Sequence, residues 1–250
     1  MKPILKLDVG GCFAFSPDGE MITVAKKSPG KRMAPIVSVR DGQEVAMVDR
    51  LQENTRAIAW SPDGKTIAYG AMYGRVTICD ANTGDVLHKV KIDDTGEVLH
   101  MDFVPGTNTL VHATMVSKTL REIDVSTGVV TDIAVPSASG AFQADTRLHC
   151  GLPGGRYSVA SRIGIYRAGV HWNNVDVNPA GTLVALLWRD RMELRSWPSL
   201  DVLGQWPIPN VRDLIPLIGI DPTGRYIGAA LGRSTFVYAV DDLLPEGYHA

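Results

Sequence analysis

Hydrophobic and polar residues alternate in short runs along this chain, and each run stops at a group of turn-forming residues. In the clearest example, Arg56–Ser61 and Thr66–Ala71 alternate on either side of the turn Pro62–Gly64. Alternation over four to eight residues is typical of a strand with one buried face, and Pro-Asp-Gly favours a tight turn. The segment therefore predicts two antiparallel strands joined by that turn.

This strand–turn–strand pattern recurs at a nearly constant interval. The interval of 74 residues between two of the turn prolines fits two periods of 37, in which the turn near residues 141–145 has lost its proline. Six units of about 40 residues then account for nearly the whole chain, and this is the length of a four-stranded propeller blade. The turn prolines are Pro17, Pro62, Pro105, Pro179 and Pro222, which are 45, 43, 74 and 43 residues apart.

The fold predicted from these repeats is all-β: a six-bladed β-propeller of four-stranded antiparallel blades, in a single domain over residues 1–250. In the second unit, further strands at Arg75–Asp80 and Val86–Ile92 flank the hairpin turn Ala81–Gly84, whose Asn and Gly favour such a turn. The blades are expected at residues 11–49, 56–92, 97–135, 140–168, 172–208 and 214–240.

The last unit supplies only three strands, whereas the N-terminal residues 4–9 form an extra alternating run. We expect this N-terminal strand to pair with Thr235–Val240 and to complete the last blade, because repeated sheets avoid unpaired edges. The other interpretation is a frayed terminus, but regular alternation has no use in a frayed segment.

Two short motifs relate these repeats to a known family. Val76–Leu87 resembles the end of a WD40 repeat, with Cys79 and Asp80 standing where that family has its Trp-Asp pair. The turns Phe15–Gly19 and Trp60–Gly64 are similar to the Ser-Pro-Asp-Gly turns of WD40 and related bacterial propellers. The resemblance implies a divergent WD40-like β-propeller, a fold that hosts both interaction scaffolds and enzymes.

Composition and charge narrow the range of partners. The formal net charge is −2, so no overall electrostatic field attracts the chain to nucleic acid or to a membrane. No apolar run approaches the roughly 18 residues that span a bilayer. The three cysteines are far apart, which favours reduced thiols over a disulfide framework. We therefore expect a cytoplasmic protein with no membrane partner.

The sequence has no motif that is typical of a catalytic site. There is no nucleophile elbow, zinc-protease helix or phosphate-binding loop, and the six histidines lack the spacing of metal ligands. We therefore expect a protein that is not an enzyme and that holds no metal or other cofactor. The enzyme alternative is a small six-bladed hydrolase or lactonase with a metal at its axis, for which Asp102, Asn173, Asn174 and Asp176 are candidate ligands.

A positively charged residue lies at or near the start of the third strand in every predicted blade. These positions should share one face of the disc, opposite the Pro-Asp-Gly turns, because alternate connections of an antiparallel sheet leave from alternate ends. Two aromatic residues, the type enriched with Arg at the centre of interfaces, accompany them. The candidate partner-binding residues are Lys31, Arg32, Tyr73, Arg75, Lys118, Arg156, Trp188, Arg189, Arg191 and Arg233.

We therefore expect an interaction scaffold that binds another protein or peptide, with an acidic segment against this face. Nucleic-acid binding through the same cations is a weaker alternative. A third interpretation is that the charges only maintain solubility, since acids in neighbouring loops, such as Glu53 and Asp93, partly cancel them. Lys65 and Arg225 directly follow Pro-x-Gly turns, so they offer control cations on the opposite face.

Overall fold

A computed structural model describes residues 2–26, 33–49, 51, 54–92, 98–104, 107–114, 120–133, 175–178, 180–188, 190–208 and 217–248. Within these ranges the chain forms β-strands and one short 3-10 turn, Met72–Gly74, and contains no α-helix. The predicted all-β class is confirmed. The fourth predicted blade, residues 140–168, lies outside the described residues, so the number of six blades stays a prediction.

The strands form five four-stranded antiparallel sheets, numbered I to V in chain order. Each sheet takes its strands consecutively from the chain, except that the outermost strand of sheet V comes from the N-terminus. The strands are β1 (Leu5–Leu7) in sheet V; β2 (Gly11–Phe15), β3 (Met21–Lys26), β4 (Ala34–Ser38) and β5 (Glu44–Val48) in sheet I; β6 (Ala57–Trp60), β7 (Thr66–Gly70), β8 (Arg75–Asp80) and β9 (Val86–Lys91) in sheet II; β10 (Val98–Phe103), β11 (Thr109–Thr114), β12 (Leu120–Asp124) and β13 (Val130–Ile133) in sheet III; β14 (Val175–Val177), β15 (Leu183–Leu187), β16 (Arg191–Ser196) and β17 (Val202–Pro207) in sheet IV; and β18 (Leu217–Ile220), β19 (Tyr226–Leu231) and β20 (Ser234–Ala239) in sheet V.

The N-terminal strand pairs with the C-terminal strand as predicted, over a shorter range than residues 4–9. Leu5 lies opposite Val237 and Leu7 opposite Thr235 in the antiparallel register of β1 and β20. Two hydrogen bonds extend the contact: the Ile4 amide donates to the Val237 carbonyl at 2.8 Å, and the Thr235 hydroxyl donates to the Val9 carbonyl at 2.8 Å. Sheet V is therefore built from both ends of the chain.

Apolar side chains fill the spaces between neighbouring sheets. The first strands of neighbouring sheets also contact one another, which sets the spatial order IV, V, I, II, III. Successive side chains of a strand point to opposite faces of its sheet, so one sheet can pack against a neighbour on each side. Buried members of the clusters are Ile36 and Tyr69 between sheets I and II, Ile78 and Leu110 between II and III, Leu194 and Ile227 between IV and V, and Ile22 and Val237 between V and I.

Each of these joints between sheets also carries a polar contact. The contacts are the Thr23 and Tyr69 hydroxyls at 2.9 Å between sheets I and II, His88 Nε2 and the Ser126 carbonyl at 3.1 Å between II and III, the Ile220 amide donating to Asp176 Oδ2 at 2.8 Å between IV and V, and Arg225 Nη2 donating to Glu20 Oε1 at 2.8 Å between V and I. The Thr23–Tyr69 and Asp176–Ile220 contacts are buried, where a polar group without a partner is costly, and the other two contacts are exposed.

The residue directly after the first strand holds the following turn in four of the five sheets. Its side-chain oxygen accepts a hydrogen bond from the first amide of the second strand, as in an Asx or Ser turn. In sheet III an apolar residue, Val104, stands there, and the Thr107 hydroxyl instead accepts from the Thr109 amide at 3.1 Å. The four bonds run from Met21 to Ser16 at 2.9 Å, from Thr66 to Ser61 at 2.9 Å, from Leu183 to Asn178 at 2.8 Å and from Tyr226 to Asp221 at 2.6 Å.

Candidate interaction site

Half of the ten predicted site residues lie outside the described residues, and the structure places the other half. Those outside are Lys31, Arg32, Lys118, Arg156 and Arg189. Those described belong to sheets II, IV and V. They are Tyr73, Arg75, Trp188, Arg191 and Arg233.

The five described residues occupy the connection between the second and third strands of their sheets. Arg75 is the first residue of β8, Arg191 is the first residue of β16, and Arg233 immediately precedes β20. Because the strands are antiparallel, this connection lies at the end of a sheet opposite the Ser, Asn or Asp turn. We call the two ends of each sheet the loop end and the turn end. That all the predicted cations share one face of the whole molecule stays a prediction.

Arg191 is engaged within sheet IV. Its Nε donates to Glu193 Oε1 at 2.7 Å and its Nη1 donates to Asp190 Oδ1 at 3.0 Å. Its guanidinium carbon lies 4.9 Å from the centre of the Trp188 ring, within cation–π range. The Arg191 guanidinium is therefore held within this connection by two carboxylates and the Trp188 ring, and partner binding by Arg191 and Trp188 stays a prediction.

The buried carboxylate of Glu193 binds both Arg191 and Arg195. Its side chain is only 2% exposed, and it also accepts two hydrogen bonds from Arg195, at 3.0 Å from Nε and 2.8 Å from Nη2. Burial alone would raise the pKa of Glu193, but the Arg191 and Arg195 guanidiniums lower it below its ordinary value of 4.5. The carboxylate is therefore ionised at neutral pH and is shared by two cations.

Sheet II has a different loop end. Tyr73 lies at the centre of the 3-10 turn with a left-handed backbone, φ 61° and ψ 35°, and its side chain is 54% exposed. The turn is closed by hydrogen bonds from the Ala71 amide to the Arg75 carbonyl and from the Ile92 amide to the Gly74 carbonyl, both at 2.8 Å. The connection is therefore well ordered although its aromatic side chain faces solvent.

A second cation that sequence reasoning missed lies beside Arg75. Lys91, the last residue of β9, stands directly opposite Arg75 in the antiparallel register, and both residues are exposed. Directly opposed residues of an antiparallel pair project from the same face of the sheet. Counting outward from the hairpin turn would have placed Val90 opposite Arg75, because a β-bulge between Ile78 and Cys79 shifts the register by one residue. The alternation pattern alone therefore did not reveal Lys91.

The exposed Arg233 of sheet V lies on a tightly packed turn. A Cβ atom added to Gly10 would be 2.1 Å from the Gly232 carbonyl oxygen, so only glycine fits between β1 and this turn. Arg233 itself forms no hydrogen bond or ion pair with other parts of the chain that the structure describes. The backbone is fixed and the side chain is open to solvent.

One of the proposed control cations is not suitable. Arg225 donates to the Asp18 carbonyl at 2.5 Å and to Glu20 Oε1 at 2.8 Å, so it joins sheets V and I. Reversing its charge would disturb the fold as well as the surface. Lys65 is exposed at the turn end of sheet II and is the better control.

The candidate ligands for an axial metal do not form a metal site where the structure describes them. The Asp176 carboxylate accepts hydrogen bonds from the Ile220 amide at 2.8 Å and the Val177 amide at 3.0 Å, so it joins sheets IV and V. Asn173 and Asn174 lie outside the described residues, and Asp102 accepts from the Phe103 amide at 2.9 Å. Within the described ranges no three His, Cys, Asp or Glu side chains are grouped so as to hold a metal ion.

The buried cysteine of sheet II does not have the environment of a nucleophile. Burial raises the pKa of the Cys79 thiol to about 12, so the thiol stays protonated at neutral pH. Cys79 occupies the apolar cluster between sheets I and II, where it packs as a small hydrophobic residue.

Repeated four-stranded antiparallel sheets that pack through their first strands define a protein of the β-propeller class. A sequence profile of the anaphase-promoting complex subunit 4 WD40 domain matches residues 14–106, which run from β2 past β10. The match covers 93 of the 250 residues, and together with the propeller fold it supports a resemblance to the WD40-like repeat family. A search of curated protein sequences gives no significant match.

Two solved structures share the fold over nearly their whole length. The structure of U3-55K superposes with a TM-score of 0.61 at 14% identity, and covers 95% of this chain and 98% of that chain. The RRP9 WD40 repeats superpose with a TM-score of 0.59 at 12% identity, covering 95% of this chain and 96% of that one. At such low identity these structures inform the fold alone.

Two other solved chains are longer and less similar. The β-propeller domain of Myceliophteria thermophila Cps50 (Swd1) gives a TM-score of 0.48 at 11% identity, covering 91% of this chain and 64% of that chain. Kuenenia stuttgartiensis hydrazine synthase gives 0.47 at 17% identity, covering 90% of this chain and 56% of that chain. The present chain thus spans less than two thirds of either.

Among its described residues, no helix is long and apolar enough to cross a membrane.

Proposed function

We propose that this protein is a non-catalytic scaffold that binds an acidic segment of another protein at the loop ends of its sheets. The observation that carries the proposal is the loop end of sheet II, where Tyr73, Arg75 and Lys91 are all exposed on a rigid connection. Rigid strands that present exposed aromatic and basic side chains suit recognition of a partner.

The family relationship supports a protein partner. The matched profile is named for a subunit of a complex, and WD40 propellers generally act as scaffolds and not as catalysts. In this proposal the chain forms six blades, with the segment between sheets III and IV supplying one blade. The protein acts in the cytoplasm and needs no cofactor.

The structure changes which residues should be altered to test the proposal. Arg191 holds Glu193, so a charge reversal there would disturb sheet IV. Arg75 and Arg233 are the better choices, because both are exposed at loop ends. Arg75 lies opposite Lys91 and takes part in interactions within the chain, so the stability of the variant is measured by thermal unfolding alongside its binding.

The experiment is affinity purification of the tagged protein from its native cells, with and without nuclease. Proteins that copurify with the wild type should be lost with Arg75→Glu/Arg233→Glu and retained with Lys65→Glu, and salt should weaken their recovery. Equal recovery with all variants would contradict a loop-end site. Loss after nuclease would favour nucleic-acid binding, and a stoichiometric metal in the purified protein would favour the hydrolase alternative.

A further inference from the structure

The outer edge of sheet II differs from the other outer edges in the described part of the chain. The outer strands of the five described sheets are β1, β5, β9, β13 and β17, and each pairs with its own sheet on one side. Both β9 and β17 have six residues, but β17 contains Gly204 and ends at Pro207, and the other three strands are shorter. Gly weakens a strand, and Pro cannot donate a backbone hydrogen bond. The edge of β9 is therefore the one best suited to pairing with a further strand.

The backbone hydrogen bonds of sheet II show which residues of β9 face outward. At one end of the β8–β9 pair, the Ile92 amide donates to the Gly74 carbonyl at 2.8 Å. Antiparallel strands alternate between hydrogen-bonded and non-hydrogen-bonded pairs, so in this register Thr77 and Lys89 form a non-hydrogen-bonded pair. The amide and the carbonyl of Lys89 therefore point away from β8. Backbone groups that point outward from an edge strand are a template for a strand of another chain.

The side chains of β9 add a charge to this edge. Leu87 is 49% exposed and Lys89 is exposed, whereas Val90 is half-buried against the apolar cluster between sheets II and III. Lys89 forms no hydrogen bond or ion pair with the other residues that the structure describes. A basic edge repels a second copy of itself and attracts an acidic strand. The charge of this edge thus favours an acidic segment as the added strand.

We infer that the acidic partner segment binds along β9 as a fifth, antiparallel strand of sheet II, with a carboxylate opposite Lys89. This inference rests on the proposed function and specifies how the segment is held. The partner residue opposite Lys89 exchanges two backbone hydrogen bonds with it and projects its side chain from the same face of the sheet. In this mode the backbone bonds supply affinity and alternate side chains supply specificity. The segment therefore alternates acidic residues, on the face of Lys89, with apolar residues on the face of Val90.

The test uses a fluorescein-labelled hexapeptide of alternating Glu and Val as the probe, read by fluorescence anisotropy at low salt. The wild type should bind this peptide and should not bind the matching peptide of alternating Lys and Val. N-methylation of the Glu amides, which face β9 in this arrangement, should weaken binding roughly tenfold or more, because it removes backbone donors. N-methylation of the Val amides is the matched control. Those amides face away from β9, so binding should change less than roughly threefold.

A charge reversal in the protein tests the same contact from the other side. Lys89→Glu should weaken binding of the Glu-Val peptide roughly fivefold or more, and added salt should reduce the difference from the wild type. The thermal unfolding of this variant should match that of the wild type, because the side chain is exposed. Lys65→Glu, at the turn end of the same sheet, is the control and should leave binding unchanged.

The outcomes distinguish this inference from the proposed function. If methylation of the Glu amides has no effect while Arg75→Glu weakens binding, an acidic segment binds at the loop end but not as a strand, and only the inference is wrong. Binding that is unaffected by Lys89→Glu would also overturn strand addition along β9. If the wild type does not bind the Glu-Val peptide at all, both the acidic partner and the added strand are wrong.

Discussion

Sheets II and IV occupy equivalent places in the repeat, but they use different chemistry at both ends. Sheet II has the regular Ser-Pro-Asp-Gly turn and an exposed, basic loop end. Sheet IV has an Asn in place of the Ser, and its loop-end cation Arg191 is paired with Asp190 and Glu193. The difference teaches that a cation at a repeated position can be exposed in one sheet and held in ion pairs in another.

The hairpin turns between the third and fourth strands show the same contrast. In sheet II this turn contains Gly84 at φ 78°, whose position leaves no space for a side chain against β5 of sheet I. In sheet IV the equivalent residue is Leu200, which forms the same backbone bond, from its amide to the Ser196 carbonyl at 3.0 Å. Leu200 has a left-handed backbone at φ 67°, which is strained for a residue with a Cβ. Its apolar packing against the buried cluster of sheet IV offsets this strain, which Gly84 does not have.

The largest predicted effect comes from filling the space at Gly84. A Cβ there would lie 2.4 Å from the Met47 carbonyl oxygen, in addition to the strain of a left-handed alanine. Gly84→Ala should therefore destabilise the protein by about 3 kcal/mol, or roughly 6–12 °C in Tm. Thermal unfolding followed by circular dichroism measures this.

Gly64 provides the matched control for that substitution. It lies in the same sheet at φ 74°, but a Cβ there meets nothing within 4 Å. Gly64→Ala should cost only the conformational strain, about 1 kcal/mol. Equal losses at the two glycines would mean that the contact between sheets I and II does not depend on the close approach of this turn.

The strands and turns of sheet II could be predicted from sequence because local signals agree there. The predicted strand Arg75–Asp80 is observed with the same bounds, and the N-terminal strand was found from its alternation and from the three-strand count of the last unit. The arrangement around Glu193 could not be predicted. Alternation indicates which side chains share one face of β16, but it does not indicate what buries that face, and the burial of Glu193 decides the arrangement.

The second prediction concerns the charge cluster of sheet IV. Glu193→Gln keeps the shape of the side chain but leaves Arg191 and Arg195 without their shared carboxylate. We expect a loss of about 2 kcal/mol at pH 7, less than for a fully buried pair because both arginines are partly exposed. Urea unfolding measures it, with Glu122→Gln in sheet III as a less buried control that should cost little.

The pKa of Glu193 gives this prediction a definite pH dependence. Because the folded pKa lies below the ordinary value of 4.5, the stabilisation is fully present above about that pH. It is lost as the pH falls through the lower folded pKa. The difference between wild type and Glu193→Gln should therefore shrink below pH 4.5, and a difference that grew on acidification would contradict the ion-pair account.

The third prediction compares the turn residues Ser61 and Asn178. Each accepts the first amide of the following strand, at 2.9 Å and 2.8 Å respectively. Ser61→Ala should cost about 1 kcal/mol, since it removes the side-chain acceptor of the partly buried Thr66 amide. Ser61→Asn and Asn178→Ser should each cost less, because the replacement can still accept this bond. If Ser61→Asn were as damaging as Ser61→Ala, the two turns would not be chemically equivalent.

The smallest predicted effect is at Asp63, which accepts a hydrogen bond from the Ser61 hydroxyl at 2.6 Å. This bond lowers the pKa of Asp63, and the Lys65 amide contributes in the same direction. Its stabilisation is therefore present above the ordinary pKa of 3.8 and is lost as the pH falls through the lower folded value. Asp63 is exposed, so solvent screening limits the loss in Asp63→Asn to about 0.5 kcal/mol at pH 7.

A double-mutant cycle with Ser61→Ala identifies the cause of that small loss. If the hydroxyl–carboxylate bond is responsible, Asp63→Asn should cost much less in the Ser61→Ala background than in the wild type, because the two changes remove one shared interaction. Urea unfolding at pH 7 and again below pH 3.8 provides the comparison. A loss at Asp63 that is unchanged by Ser61→Ala would instead assign the effect to the hydrogen bond that Asp63 accepts from the Lys65 amide at 3.1 Å.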